Sequence, residues 1–71
     1  MISEKIRITL NGEERDVDAG GTVADLLAEL KLNPGLVVVE RNRVILERSR
    51  LAFTRVGAGD VFEVVHFVGG G

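Results

Sequence analysis

One stretch of this chain carries a helical apolar stripe. Val23, Leu26, Leu27 and Leu30 stand at i, i+3, i+4 and i+7, a spacing that predicts an amphipathic helix of about three turns. Thr22 is placed to cap its first turn, and Asp25, three residues on, completes a shortened capping box. Asn33-Pro34-Gly35 supplies the stop signal. A helix with one stripe must bury it against something, and every other apolar segment reads as strand. The solution is α+β: a mixed sheet of four or five strands wrapped on one main helix. The chain has 71 residues and no cysteine, so one small core must be held by packing alone.

The strands follow from alternation and turn chemistry. Lys5 to Leu10 alternates strictly, with Ile6, Ile8 and Leu10 on the buried face. Asn11-Gly12 is a hairpin turn, because both residues tolerate positive φ. Glu14 to Asp18 returns, with Val17 as its apolar contact. Gly20-Gly21 is a hinge before the helix. Leu36 to Val39 is a β-branched run long enough for a central strand, and Arg41-Asn42 is the expected turn into Val44-Ile45-Leu46. From Glu47 to Gly59 the pattern is irregular; Leu51, Phe53 and Val56 are expected to pin it to the core, and Gly57 and Gly59 mark a turn. Asp60 to Val68 is the last strand. Phe62 and Val64 share one face, and Val61, Glu63, Val65 and Phe67 share the other. The helix provides a crossover, which allows the last strand to lie beside the first.

Composition narrows the function. A net charge of −2 argues against general nucleic-acid binding, and with no Trp or Tyr and three Phe, base-stacking platforms are poorly supplied. No apolar run approaches the roughly 20 residues of a membrane span, and the N-terminus lacks a signal peptide's apolar run. The expectation is a soluble cytoplasmic protein. No catalytic residue stands out: Ser3 and Ser49 lack a base partner, no Cys can act as nucleophile, and His66 is the only histidine, read as a packing or surface residue. One His and scattered carboxylates do not make a metal site. Gly20-Gly21 lacks the Lys-Ser/Thr of a phosphate loop, and Asp16, Asp18, Arg48 and Arg50 read as solvated face.

The C-terminal stretch is the informative part. Gly69-Gly70-Gly71 has no Cβ and fits a slot too narrow for any other residue. From Val68 the end reaches at most about 13 Å, enough to carry a carboxylate into a partner's active site. Adenylation would activate that carboxylate toward a sulfur or amine nucleophile, and glycine leaves the carbonyl unhindered. The alternative is an inert flexible end. Val61, Val65 and Phe67 add more apolar surface than an open sheet face needs, as a docking surface beside a reactive end would. Arg7 and Glu63 would set its specificity. The competing reading covers that face with the chain's own irregular segment.

These residues together resemble a known family. The Asn11-Gly12 hairpin, the Thr22-Val23-x-Asp25-Leu26-Leu27 helix start, Arg48-Ser49, the Gly59-Asp60 turn and the close Val65-His66-Phe67-Val68-Gly69-Gly70-Gly71 are similar to the bacterial sulfur carriers of thiamine biosynthesis, the ThiS family. The resemblance covers essentially the whole chain. Asn42-Arg43 stands where the family often has Asn-Gly or Asn-Glu, and Glu47 where it often has Pro. The resemblance implies a ubiquitin-like β-grasp domain over residues 1–68 and a flexible reactive tail over 69–71. It implies a carrier and not an enzyme. An adenylating, E1-like partner uses ATP and magnesium on the Gly71 carboxylate, a persulfide delivers sulfur, and the resulting thiocarboxylate serves thiazole synthase in building the thiazole ring. Gly70 and Gly71 carry the reactive end, Gly69 extends its reach, and Val61, Val65, Phe67 and Val68 are the docking candidates. No cofactor is bound by the chain itself. The alternatives are a sulfur carrier for molybdopterin or cysteine synthesis, or a ubiquitin-like protein modifier.

Overall fold

In a computed structural model of the chain, residues 4–67 are described. Strand β1 (Lys5–Leu10) turns into β2 (Glu13–Asp18) through Asn11 and Gly12, whose φ values of 50° and 83° are the pair that a two-residue hairpin requires. Cα partners run from Lys5↔Asp18 to Leu10↔Glu13. Helix α1 (Val23–Glu29) follows, then β3 (Val37–Arg41), β4 (Val44–Leu46) and β5 (Val61–His66). Short 3-10 turns occupy Pro34–Leu36 and Arg48–Phe53. The five strands form one sheet in the order β2-β1-β5-β3-β4. The last strand does lie beside the first, parallel to it through Thr9↔Val61 and Leu10↔Phe62, and antiparallel to β3 on its other side.

The core lies between α1 and one face of this sheet. Val23, Leu26 and Leu27 from the helix meet Ile8, Val17, Val37, Val39 and Phe62 from four strands. Ile6, Leu10, Leu30 and Val64 pack at its margin. The capping box forms as expected: the Thr22 hydroxyl accepts from the Asp25 amide at 3.1 Å, and Asp25 Oδ2 accepts from the Thr22 amide at 2.9 Å.

The helix is shorter than its stripe predicts, with seven residues in place of three turns, and Asn33-Pro34-Gly35 is not what ends it. Lys31 adopts φ 59°, the Lys31 amide donates to Ala28 and the Leu32 amide to Leu27, which is a Schellman closure. On a continuous helix Leu30 and Leu32 would point about 200° apart. The left-handed residue between them lets both pack against the core. Asn33 instead caps the next 3-10 turn.

Two further expectations move. The β3–β4 turn is Asn42-Arg43, both at positive φ, because Arg41 stays in β3 opposite Val44. Phe53 does not pin the irregular segment; it is 79% exposed, while Leu51 and Val56 are buried. In a 3-10 turn each residue advances about 120°, so with Leu51 facing the core Phe53 faces away. The segment is instead tied to the start of α1 by main-chain bonds, from Val23 to Thr54 and from Val56 to Gly21. Arg48 is exposed, as expected, and also donates to the Pro34 and Gly35 carbonyls, linking the two 3-10 turns.

Asp60 is the one buried charged residue among those described. Its carboxylate accepts from the Gly57 amide at 2.7 Å, from Arg41 Nε at 2.9 Å and from Asn42 Nδ2 at 3.2 Å. Burial alone would raise its pKa, but these donors outweigh it and hold the carboxyl below the ordinary value,.

Two measurements test this account. Lys31→Gly removes the strain of a side chain at positive φ and is expected to stabilise the fold by about 1 kcal/mol, read as a higher urea midpoint at unchanged slope. Asp60→Asn strands Arg41 and is expected to cost about 2–3 kcal/mol at neutral pH. Because the folded pKa of Asp60 is depressed, its contribution is full above the ordinary carboxylate pKa of about 4 and is lost as pH falls through the folded value. Unfolding curves taken at descending pH should therefore show the gap between wild type and variant closing only on the acid side.

Candidate functional site

The site is built around β5, the central strand, because it leads into the C-terminal stretch. Its position is held by side chains from two hairpin turns. At its start the Asn42 amide donates to the Val61 carbonyl at 2.7 Å, and Asn42 Oδ1 accepts from the Val61 amide at 2.9 Å. On the other side β1 ends at Leu10, and Asn11 extends the pairing: its amide donates to Phe62, and its side chain takes the Val64 amide at 2.8 Å and gives to the Val64 carbonyl at 3.3 Å. Beyond the strand, the Phe67 amide donates to the Leu36 carbonyl at 2.8 Å. The chain is therefore anchored to the sheet up to Phe67. Val68, Gly69, Gly70 and Gly71 lie outside the described residues.

Alternation divides β5 as expected. Phe62 is fully buried and Val64 half-buried against the core, while Val61, Val65 and Phe67 are 44%, 60% and 49% exposed. Register carries this outer face across the sheet: Val65 lies opposite Val38, Glu63 opposite Glu40, and Glu40 opposite Ile45 of β4. The irregular segment does not cover it, since Leu51 and Val56 enter the core on the helix side. The other half of the face is charged, and both of its cations are paired. Lys5 Nζ meets Asp18 at 2.7 Å and Arg7 Nε meets Asp16 at 2.9 Å. The hydrogen bond from Arg7 holds the exposed Asp16 carboxyl below its ordinary range. Arg7 and Glu63 thus lie on the same face, but Arg7 is already engaged.

His66 ends β5, exposed, with Nδ1 3.3 Å from the Phe67 carbonyl oxygen. It borders a shallow groove with Leu10, Leu30, Leu32, Val37 and Val64. Among the described residues, no group of three or more His, Cys, Asp or Glu is placed to hold a metal ion, and no helix is long and apolar enough to cross a membrane. The sequence reading missed Asn11, Asn42, Arg41 and Asp60 as the groups that locate β5. Asn11 and Asn42 are visible in the sequence as turn residues; their partners lie 53 and 19 residues away. Asp60 after Gly57-Ala58-Gly59 is a local signal, since its carboxylate closes onto the amide of its own turn.

Comparison with known proteins agrees with this geometry. The ThiS family profile matches residues 8–71. The crystal structure of the thiamine biosynthesis protein ThiS from Geobacter metallireducens superposes with a TM-score of 0.79 at 38% identity, covering 93% of this chain and all of that one. The sulfur carrier protein ThiS of Bacillus subtilis is 47% identical over 51 residues, 72% of this chain and 77% of that protein. Thiazole synthases from Paramagnetospirillum magneticum and Magnetococcus marinus are 44% and 41% identical over 66 residues, 93% of this chain. The chain spans about a fifth of the length of those two synthases. With the five-stranded sheet on one helix and a family match over nearly its whole length, the chain belongs to the ThiS family and has its ubiquitin-like β-grasp fold.

Proposed function

We propose that this protein is a sulfur carrier of thiamine biosynthesis, acting in the cytoplasm, with residues 1–68 as the folded body and 69–71 as the reactive tail. The observation that carries the reading is that the family match runs through Gly71, tail included. A partner of the E1-like class would bind ATP and magnesium. The Gly71 carboxylate attacks the α-phosphorus, pyrophosphate leaves, and an acyl-adenylate forms. The terminal sulfur of a persulfide then attacks the acyl carbon and displaces AMP. A thiol reduces the resulting acyl disulfide, leaving a thiocarboxylate at Gly71 in which one oxygen has become sulfur. Thiazole synthase is the recipient; the match to two proteins of that name supports it. The chain is substrate and carrier throughout, and no step calls on a catalytic side chain of its own.

The body contributes position. An anchored central strand delivers the tail at a defined point, so that partner contact chooses the recipient and orients the reacting carbon. Val61, Val65 and Phe67 form the docking surface in this reading, continued by Val68. Val61, Val65 and Phe67 are open to solvent.

Intact mass tests the chemistry. The protein is incubated with ATP and a sulfur source in active extract of its host, beside a chain lacking Gly71. A shift equal to oxygen-for-sulfur exchange in the full chain and none in the deletion is expected; no shift in either would return the tail to an inert end. High-mass conjugates on a denaturing gel would mark a protein modifier instead. Docking is tested by Phe67→Ala, expected to cost less than about 1 kcal/mol of stability while weakening capture by the activating enzyme. Unfolding of the variant would assign Phe67 to the chain's own core.

A further inference from the structure

The apolar half of the outer face contains an unbalanced charge. Glu40 of β3 and Glu63 of β5 are direct cross-strand partners, and the bonded pairs of this ladder fall on the odd residues of β5, as the Phe67–Leu36 and Asn42–Val61 bonds show. Such neighbours have Cβ atoms about 5 Å apart on one face, and like charges so placed repel. Neither carboxylate takes part in any of the three ion pairs among the described residues. The strands β1, β3, β4 and β5 carry three Lys or Arg side chains, Lys5, Arg7 and Arg41. Each is engaged elsewhere, by Asp18, Asp16 and Asp60 respectively. Around the pair are Val38, Ile45, Val61 and Val65.

This arrangement has a consequence for any partner that covers the face. Docking would remove water from two adjacent carboxylates, and leaving them unpaired in a drier environment is costly. A partner offering only apolar surface is therefore rejected, and one that places a cation between the two is selected. A guanidinium is suited to the task, since its planar fork can serve two carboxylates at once. An enzyme that holds ATP must maintain a positive field around its triphosphate site. The tail has to reach that site, which brings the outer face beside its rim.

We propose that Glu40 and Glu63 together form an acidic receptor at the centre of the apolar face that takes an arginine or lysine side chain of the activating enzyme. This rests on the carrier reading and adds to it the chemistry of the partner's surface. It also assigns the specificity role to Glu63 with Glu40, in place of Glu63 with Arg7.

The test uses the full chain and the adenylating enzyme of the same host with magnesium-ATP, with affinity measured by calorimetry over a series of salt concentrations. Glu40→Gln/Glu63→Gln is compared with wild type and with Glu14→Gln, which removes one charge from β2. The double variant should bind at least about tenfold more weakly and with a flatter salt dependence, while melting no lower than wild type. Glu14→Gln should bind as wild type does. Equal affinity and salt slope for the double variant would overturn the proposal, as would an equal loss in Glu14→Gln, which would make the effect one of net charge. Loss of binding to thiazole synthase with the activating enzyme unaffected would overturn the assignment of the cation to that enzyme. The sulfur mass shift at Gly71 separates the two levels. Wild type that gains sulfur beside a double variant that binds normally removes this inference alone; wild type that gains none removes the carrier reading and this inference with it.

Discussion

The Asp60 carboxylate is the contact on which the arrangement of the sheet turns. Strand β5 occupies the centre, yet it arrives after a stretch, residues 47–60, that holds neither a strand nor an α-helix. No tight turn sets its register. Asp60 supplies the missing constraint: it closes the turn from Gly57 and grips Arg41 and Asn42 at the end of β3, while its own carbonyl accepts from the Thr9 amide of β1 at 2.9 Å. One residue therefore fixes the entry of β5 against both neighbours. A one-residue slip would send Phe62 to solvent and Val61 to the core.

The hairpin asparagines continue what Asp60 begins. Each makes its own turn through positive φ and spends its side chain on β5. Asn11 acts as a substitute strand residue where β1 has ended. The amides and carbonyls of a central strand would otherwise lack partners on that side. The result is a strand held on both sides by main chain supplemented by an asparagine side chain, Asn42 at its start and Asn11 further along, and anchored as far as Phe67. On the proposed carrier reading this would separate two duties, with the fold holding the docking face and the three glycines supplying reach and a narrow profile.

The outer face shows how an even charge balance can conceal strong local order. On β1 and β2, Lys5 and Arg7 are paired in register with Asp18 and Asp16 across the hairpin. On β3 and β5 like charges meet amid exposed aliphatic side chains. Composition reports only a net charge of −2. The sign and position of the unbalanced part appear only when strands distant in sequence are laid side by side.

What the sequence determined by itself was local. Alternation in Lys5–Leu10 and in Val61–His66, the Asn11-Gly12 turn, the Thr22–Asp25 cap and the stripe of α1 depend on residues a few positions apart, whose preferences survive in any context. The apolar outer residues of β5 were legible for the same reason, while the glycine tail lies outside the described residues. The end of α1, the Asn42-Arg43 turn and the exposure of Phe53 were not. Each depends on a competition with distant groups: Leu32 returning to the core, Arg41 drawn into β3 beside Asp60, and Leu51 taking the inward side of a 3-10 turn. The tertiary structure alone decided that Asp60 and two turn asparagines hold β5 and that Glu40 faces Glu63, because hydrogen bonds and repulsions between residues some 20 to 50 positions apart leave no periodic mark in the chain,.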